Sequence, residues 1–149
     1  MPDILGTKAI LGPVVALVAW TLVMLIWMMA VRVPALQRAG ISLRGAVGGR
    51  PGVLDGVVDD KAQWKAHNYI HLAEQPTIFY AIAISLALLG HGGGSALILA
   101  WLYVALRIVH SLVQATVNVI AIRLPLFIAA SLCLLAMTIE AAVILLQAG

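Results

Sequence analysis

Charged residues are scarce in this chain of 149 residues: Asp, Glu, Lys and Arg make up only 10% of it, and 63% of the residues are hydrophobic. A soluble domain usually carries about 25% charged residues. A chain of this length also cannot enclose so much apolar side-chain surface beneath a polar exterior. The scarcity of charge therefore excludes a soluble globular enzyme and a disordered chain. The nine Lys and Arg are spread along an apolar chain, so nucleic acid is not an expected partner.

Cysteine is nearly absent as well. Cys133 is the only one and lies in an apolar run, which excludes a disulfide framework and a cysteine-based metal motif. We interpret it as a small packing residue. The glycine-rich segment 45–56 lacks both the Gly-Lys-Ser/Thr of a phosphate-binding loop and a dinucleotide-binding fingerprint. It is interpreted as a flexible connector, with a lid over a cytoplasmic-side pocket as the alternative.

Long uncharged runs dominate the chain instead. The run 9–31 contains no Asp, Glu, Lys or Arg, and the run 66–106 contains only Glu74. About 20 apolar helical residues cross a bilayer, so 66–106 is long enough for two crossings separated by the glycine-rich turn 90–95. We expect an all-α integral membrane protein with one domain, 1–149. Its fold is predicted to be an up-down bundle of four transmembrane helices, near 9–31, 62–90, 95–122 and 124–146.

Lysine and arginine are distributed unevenly between the predicted loops. Six of the nine lie between residues 32 and 65, whereas the glycine-rich turn has none. Because such residues are retained on the cytoplasmic side of a membrane, the first loop, 32–61, is predicted to be cytoplasmic. Both termini are then expected on the opposite side. Pro125 is expected in the first turn of the fourth helix, where a missing N–H is harmless.

Two polar stripes interrupt the apolar helices. In the third helix the stripe recurs at steps of three and four residues, which keeps it on one helical face; its members are Tyr103, Arg107, Ser111, Gln114 and Asn118, with His110 and Arg123 close by. The second helix carries His67, Asn68, His71, Glu74 and Gln75. Ionisable residues inside membrane spans mark a function or a buried partner.

The heights of these residues can be compared if the second and third helices form a hairpin centred near residues 92 and 93. Glu74 then lies level with Ser111, and His71 with Gln114. Arg107 lies one turn deeper than Glu74, within reach of a long side chain. We expect a polar pocket in the cytoplasmic half of the bilayer, suited to an anionic ligand from the cytoplasm and an apolar ligand from the lipid.

A purely structural role remains open for the same residues. Glu74 and Arg107 can form a buried ion pair that fixes helix packing, with the amides and histidines as interhelical hydrogen bonders. A metal site at His67, His71 and Glu74 is not expected, because no cysteine helps and two histidines at helical spacing are common. Glu140 has Lys8 or His91 as expected neighbours and a structural role.

The segments 71–80 (HLAEQPTIFY) and 100–111 (AWLYVALRIVHS), followed by Asn118 and Arg123, resemble the MAPEG family. These are membrane-associated proteins in eicosanoid and glutathione metabolism, and the likeness is strongest to the small bacterial branch. The resemblance covers essentially the whole chain. It implies a homotrimer in a bacterial inner membrane, with ligand sites between subunits. It also implies glutathione as cosubstrate, without a metal, in transfer to an apolar, lipid-like electrophile or in peroxide reduction.

The resemblance also suggests roles for individual residues. Arg123 resembles an arginine near the start of the last helix in catalytic members and is the candidate catalytic residue, because a guanidinium stabilises a thiolate. The candidate glutathione-binding residues are Glu74, Arg107, His71, His110, Gln114 and Asn118.

The chain departs from the pattern of glutathione-using members in four respects. Arginines near the start of the second helix are not evident, and only Lys61 and Lys65 lie close to that place. His71 replaces an asparagine, Gln114 stands where a tyrosine is usual, and Leu124 stands where a hydroxyl follows the arginine. The resemblance as a whole predicts a glutathione-dependent transferase or peroxidase, whereas these departures argue against glutathione. A non-catalytic module of the same fold that binds lipid or protein is the alternative. A metal- or proton-linked carrier is a third hypothesis.

Overall fold

The computed structural model describes residues 8–42, 44, 49, 54 and 56–148. These residues form four long helices and no strand: α1 (Leu11–Arg38), α2 (Asp60–Leu88), α3 (Gly94–Thr116) and α4 (Ile120–Ala148). The predicted all-α class is confirmed. The predicted connector 45–56 lies largely outside the described residues.

Three of the four helices are long and apolar enough to cross a membrane, namely α1, α3 and α4. The protein is therefore an integral membrane protein. The remaining helix, α2, has 29 residues, which is also enough for a crossing. Its first half carries the histidine- and amide-rich stripe, which lowers its apolar character. That α2 is a fourth span stays a prediction from its length.

The first helix ends later than its apolar run. It continues to Arg38, past the expected end at residue 31, with Pro34 inside it. Gly40 then adopts a positive φ of 71°, and the Ile41 N–H bonds the Leu36 carbonyl at 3.0 Å. Because glycine has no Cβ, it adopts a positive φ without a steric clash and commonly follows the last residue of a helix. The helix therefore ends where the backbone can turn, beyond the point where hydrophobicity stops.

The boundary between α3 and α4 also differs from the prediction. The third helix ends at Thr116 and not near residue 122, and the fourth begins at Ile120 and not at 124. Asn118 has a φ of 52°, and its N–H bonds the Val113 carbonyl at 2.7 Å. This conformation stops the helix. Arg123 consequently lies in the first turn of α4, and Pro125 lies further inside that helix than expected.

The helices pack as an up-down bundle joined by short connections at 89–93 and 117–119. The pairs in contact are α1 with α2, α2 with α3, α3 with α4, α2 with α4 and α1 with α3. We call the end that carries the 39–59 connection the loop-side end and the end that carries the 89–93 connection the turn-side end. The turn-side half has an apolar core.

This apolar core contains residues from every helix, among them Leu17, Phe79, Tyr103 and Met137. The rings of Phe79 and Tyr103 stack with centroids 4.5 Å apart, a contact worth about 0.5–1.5 kcal/mol beyond simple burial. Cys133 packs in the same core as a free thiol, as expected for a small packing residue. The outer faces of the helices carry exposed aliphatic side chains, which suits contact with lipid.

Candidate functional site

Arg107 binds the backbone of α2 close to Pro76. A proline has no N–H, so the helix loses the donor that would bond the Leu72 carbonyl. One residue earlier, the His71 carbonyl accepts a hydrogen bond of 2.6 Å from Nη2 of Arg107. Arg107 is only 1% exposed, and within the described residues its Nε and Nη1 atoms are buried without a partner. Arg107 therefore connects α3 to α2 from inside the bundle.

The ion pair between Glu74 and Arg107 that the structural alternative proposed does not form within the described part of the chain. The Glu74 side chain is 62% exposed, and its Oε2 atom lies 3.3 Å from Nδ1 of His71, whose side chain is 43% exposed. Arg107 is engaged by the α2 backbone instead, so the structural hypothesis was wrong for this pair. Glu74 contributes to the outer surface of α2, next to a histidine of the predicted site.

A second polar contact joins α2 and α3 nearer the loop-side end. Nδ2 of Asn68 donates to the Ser111 hydroxyl at 2.8 Å, and both residues are buried. The hairpin register had predicted Ser111 level with Glu74, which lies six positions, or about 9 Å at 1.5 Å per residue, further along α2. The register of α2 against α3 is therefore set by contacts such as this one and not by the centre of the five-residue connection between the helices.

Lys65 is a buried residue whose contacts were not predicted from the sequence. Its Nζ atom donates to the carbonyls of Lys61 at 2.8 Å and Ala115 at 3.0 Å, and lies 5.3 Å from the centroid of the Trp27 ring. A lysine at the C-terminal end of α3 satisfies a free carbonyl and complements the helix dipole. Lys65 thus joins α1, α2 and α3 at the loop-side end.

A cavity of about 340 Å³ lies between α2, α3 and the start of α4. It is lined by His71, His110, Ile120, Arg123, Leu124 and Phe127, and we call it the loop-side pocket. The ring of His110 lies 6.4 Å from that of His71, edge to face, and 6.4 Å from that of Phe127. The pocket combines one guanidinium and two imidazoles with an apolar wall.

Arg123 is held at this pocket by the turn that precedes α4. Its Nη1 atom donates a short hydrogen bond to Oδ1 of Asn118. Its Nε atom is buried and has no partner among the described residues. The guanidinium also lies in the first turn of α4, where a helix carries partial positive charge. An anionic group in the pocket would meet two sources of positive potential.

The structure brings together some of the predicted site residues and separates others. His71, His110 and Arg123 line the pocket. Glu74 and Asn118 do not line the pocket themselves, but each contacts a residue that does: Glu74 contacts His71, and Asn118 contacts Arg123. Arg107 binds the main chain of His71. Gln114 is buried in α3, its Oε1 atom has no partner within the described residues, and it does not line the pocket.

The apolar wall of the pocket was not predicted. The sequence identifies Ile120 and Phe127 only as parts of membrane spans, and Leu124 only as a departure from a family pattern. Their spacing of three to four residues, with Arg123 beside Leu124, places all of them on one side of the first turns of α4. The same spacing is present in the sequence, but it predicts a shared helical face only if the helix begins at Ile120 and not at 124.

A second cavity of about 350 Å³ lies at the turn-side end, lined by Gly90, His91, Gly93, Gly94, Ser95 and Glu140. The Ser95 hydroxyl donates to Oε1 of Glu140 at 3.0 Å, and His91 lines the same cavity as expected for a neighbour of Glu140. Across the described residues, no three His, Cys, Asp or Glu side chains come together in a way that could hold a metal ion.

A bundle of long apolar helices with an arginine- and histidine-lined pocket between three of them defines a class: polytopic α-helical membrane proteins with a polar pocket between helices. The model of the MAPEG family matches residues 10–143, which span all four helices, and the chain belongs to that family. The resemblance seen in the sequence is thereby confirmed. No curated protein and no solved structure matches the chain.

Proposed function

We propose that this MAPEG protein binds glutathione in the loop-side pocket and uses its thiolate on apolar electrophiles, as a transferase or peroxidase. The observation that carries the proposal is the composition of the pocket. Arg123 and two histidines line it together with the apolar side chains of Ile120, Leu124 and Phe127. A cationic group beside an apolar wall suits a reaction between an anionic peptide and a lipid-like molecule.

Arg123 is the candidate catalytic residue in this proposal. A thiol is a weak nucleophile until it loses its proton, and a guanidinium that keeps its charge stabilises the thiolate. His110 or His71 accepts that proton as a neutral imidazole. The thiolate then attacks the electrophilic carbon, a sulfur–carbon bond forms, and the leaving group departs with its electron pair. Nothing in this sequence of steps requires a metal.

A homotrimer with sites between subunits is part of the same proposal. Glu74 and His71 expose 62% and 43% of their side chains on the surface of a single chain, on a helix that is predicted to cross the membrane. Leaving ionisable groups in contact with lipid is unfavourable. A neighbouring subunit packed against this face of α2 would cover them and close the pocket. We further propose that the loop-side end faces the cytoplasm of a bacterial inner membrane.

Glutathione binding to the detergent-solubilised protein tests the proposal. We expect millimolar glutathione to raise the unfolding temperature, measured by a thermal-shift assay. Arg123→Ala is expected to weaken binding by about 10- to 100-fold, because a charge-assisted hydrogen bond contributes about 1.5–3 kcal/mol. Arg38→Ala is the matched control: Arg38 is exposed outside the pocket and bonds a carbonyl of its own helix. No shift with glutathione in any detergent would refute the proposal.

The apolar wall of the loop-side pocket favours a second function, the binding of a lipid without catalysis. A fatty-acid carboxylate could bind at Arg123 with its chain along Leu124 and Phe127, which requires no chemistry. Mass spectrometry of lipids that copurify with the protein distinguishes the two functions. Stoichiometric acyl lipid, retained in the presence of glutathione and lost in Arg123→Ala, would favour a lipid-binding module. Robust conjugation of a model electrophile would exclude it.

A further inference from the structure

Asn118 occupies a backbone conformation that few residues adopt. Among the described residues it is the only one besides glycine with a positive φ, at 52°. Left-handed backbone is unfavourable for side chains with a Cβ, and glycine, asparagine and aspartate tolerate it best. The N–H of Asn118 bonds the Val113 carbonyl at 2.7 Å, so this conformation ends α3. The turn by itself would be served by any of these three residues.

The side chain of Asn118 serves the pocket as well as the turn. Its Oδ1 atom accepts the hydrogen bond from Nη1 of Arg123. No other hydrogen bond of the Arg123 guanidinium exists within the described residues, and its Nε atom is buried without a partner. Glycine would fit the turn with less strain but offers no acceptor. The hydrogen bond to Arg123 is thus the feature that distinguishes asparagine from glycine here.

The neutral amide also differs from the carboxylate that would fit the same place. Aspartate tolerates the left-handed conformation and would bind the guanidinium more strongly, as an ion pair. It would also neutralise the charge of Arg123, and an anionic ligand would have to compete with it. Of the three residues suited to the turn, asparagine alone provides an acceptor and leaves the positive charge uncompensated.

We propose that Asn118 is a positioning residue that holds Arg123 at the loop-side pocket without neutralising it, so that the pocket accepts an anionic group. The proposal deepens the proposed function and rests on it for the ligand: a thiolate or carboxylate next to an apolar group. Asn118 itself touches the guanidinium and need not touch the ligand.

Two substitutions separate positioning from a merely structural role. Asn118→Gly keeps the turn and removes the acceptor, and Asn118→Asp keeps both and adds a negative charge. We expect both to weaken the binding of glutathione, and of oleate as a second anionic probe, by about 10-fold, with Asn118→Asp at least as impaired as Asn118→Gly. Unfolding temperatures are expected to stay close to wild type, because each residue is compatible with the turn.

Val117→Asp is the matched control for added charge. Val117 precedes Asn118 in the same turn and is 57% exposed. The carboxylate that Val117→Asp introduces therefore takes no part in the hydrogen bond between Asn118 and Arg123. Affinity is expected to remain within about twofold of wild type, since exposed charges interact weakly. Wild-type affinity in Asn118→Asp would overturn the proposal. So would an equal loss in Val117→Asp, since a general charge effect would then explain both.

A second measurement keeps the inference distinguishable from the proposed function. NMR of isotope-labelled arginine in the solubilised protein reports whether the Arg123 side-chain N–H groups exchange slowly with water. Slow exchange in wild type and Asn118→Asp, with fast exchange in Asn118→Gly, supports the positioning role even if glutathione does not bind. Fast exchange in wild type overturns it. If wild type binds neither glutathione nor oleate, the proposed function and the anionic ligand both fail.

Discussion

The two halves of the bundle are built from the same helices but have different interiors. The turn-side half packs apolar side chains against one another, with Phe79 stacked on Tyr103. The loop-side half has only a small apolar cluster of its own, and it buries polar or charged side chains, among them Lys65, Arg107 and Gln114. Nε and Nη1 of Arg107 and Oε1 of Gln114 have no partner in the described structure, as is also true of the Tyr103 hydroxyl at the border of the two halves. Buried polar atoms without partners destabilise a fold. The difference is consistent with a division of roles, in which the turn-side half contributes most of the stability and the loop-side half carries the proposed site.

The largest expected loss of stability comes from truncating a side chain in the apolar core of the turn-side half. Phe79→Ala removes a fully buried ring and its stack on Tyr103, and such truncations cost about 3–5 kcal/mol. We expect a large fall in unfolding temperature in detergent, with the ligand affinity of the folded fraction unchanged. Ile78→Ala is the control, since Ile78 is the neighbouring residue and is exposed on the outer face. Equal losses in the two variants would contradict an ordered apolar core.

A smaller loss of stability is expected when the hydrogen bonds of Lys65, which join helices at the loop-side end, are removed. Lys65→Met keeps the length of the side chain but removes the bonds to the Lys61 and Ala115 carbonyls. The expected loss is about 1.5–3 kcal/mol, the range for hydrogen bonds to a charged group. Lys61→Met is the control, because Lys61 contributes only its carbonyl to this contact. An unfolding curve in which Lys65→Met matches wild type would show that these bonds contribute nothing.

The smallest effect concerns a single polar pair. Asn68→Ala and Ser111→Ala each remove one partner of the buried hydrogen bond between α2 and α3. A double-mutant cycle is expected to give a coupling energy of about 0.5–1.5 kcal/mol. Asn68→Ala combined with Ser85→Ala should be additive, since Ser85 bonds a carbonyl of its own helix. A coupling energy of zero between Asn68 and Ser111 would show that this loop-side hydrogen bond does not stabilise the bundle.

The apolar half of the fold was predictable from the sequence because long uncharged runs specify membrane helices almost independently of context. The positions of their ends were less predictable. Gly40 and Asn118 terminate helices through left-handed backbone, and a residue such as Asn118 inside a polar stripe gives no warning of that conformation. The helix expected to run to 122 therefore ends at Thr116, and Arg123 moves into α4.

The site was predictable as a list of residue types more than as a geometry. Histidines and arginines inside apolar spans pointed to His71, His110 and Arg123, which do line one pocket. The partners of Arg107 and Glu74 depended on the register of α2 against α3, which the length of the five-residue connection alone does not set. The role of Lys65 depended on where α3 ends. Both are consequences of packing, which local sequence patterns do not specify.

The central claim is that the loop-side pocket binds an anionic ligand at Arg123. Cryo-electron microscopy of the protein in lipid nanodiscs with glutathione tests it most directly, since the two cavities lie at opposite ends of the bundle. The predicted result is peptide-shaped density in contact with Arg123, between His71 and His110 and covered by a neighbouring subunit. An empty loop-side pocket, or density confined to the cavity beside Glu140, would contradict it.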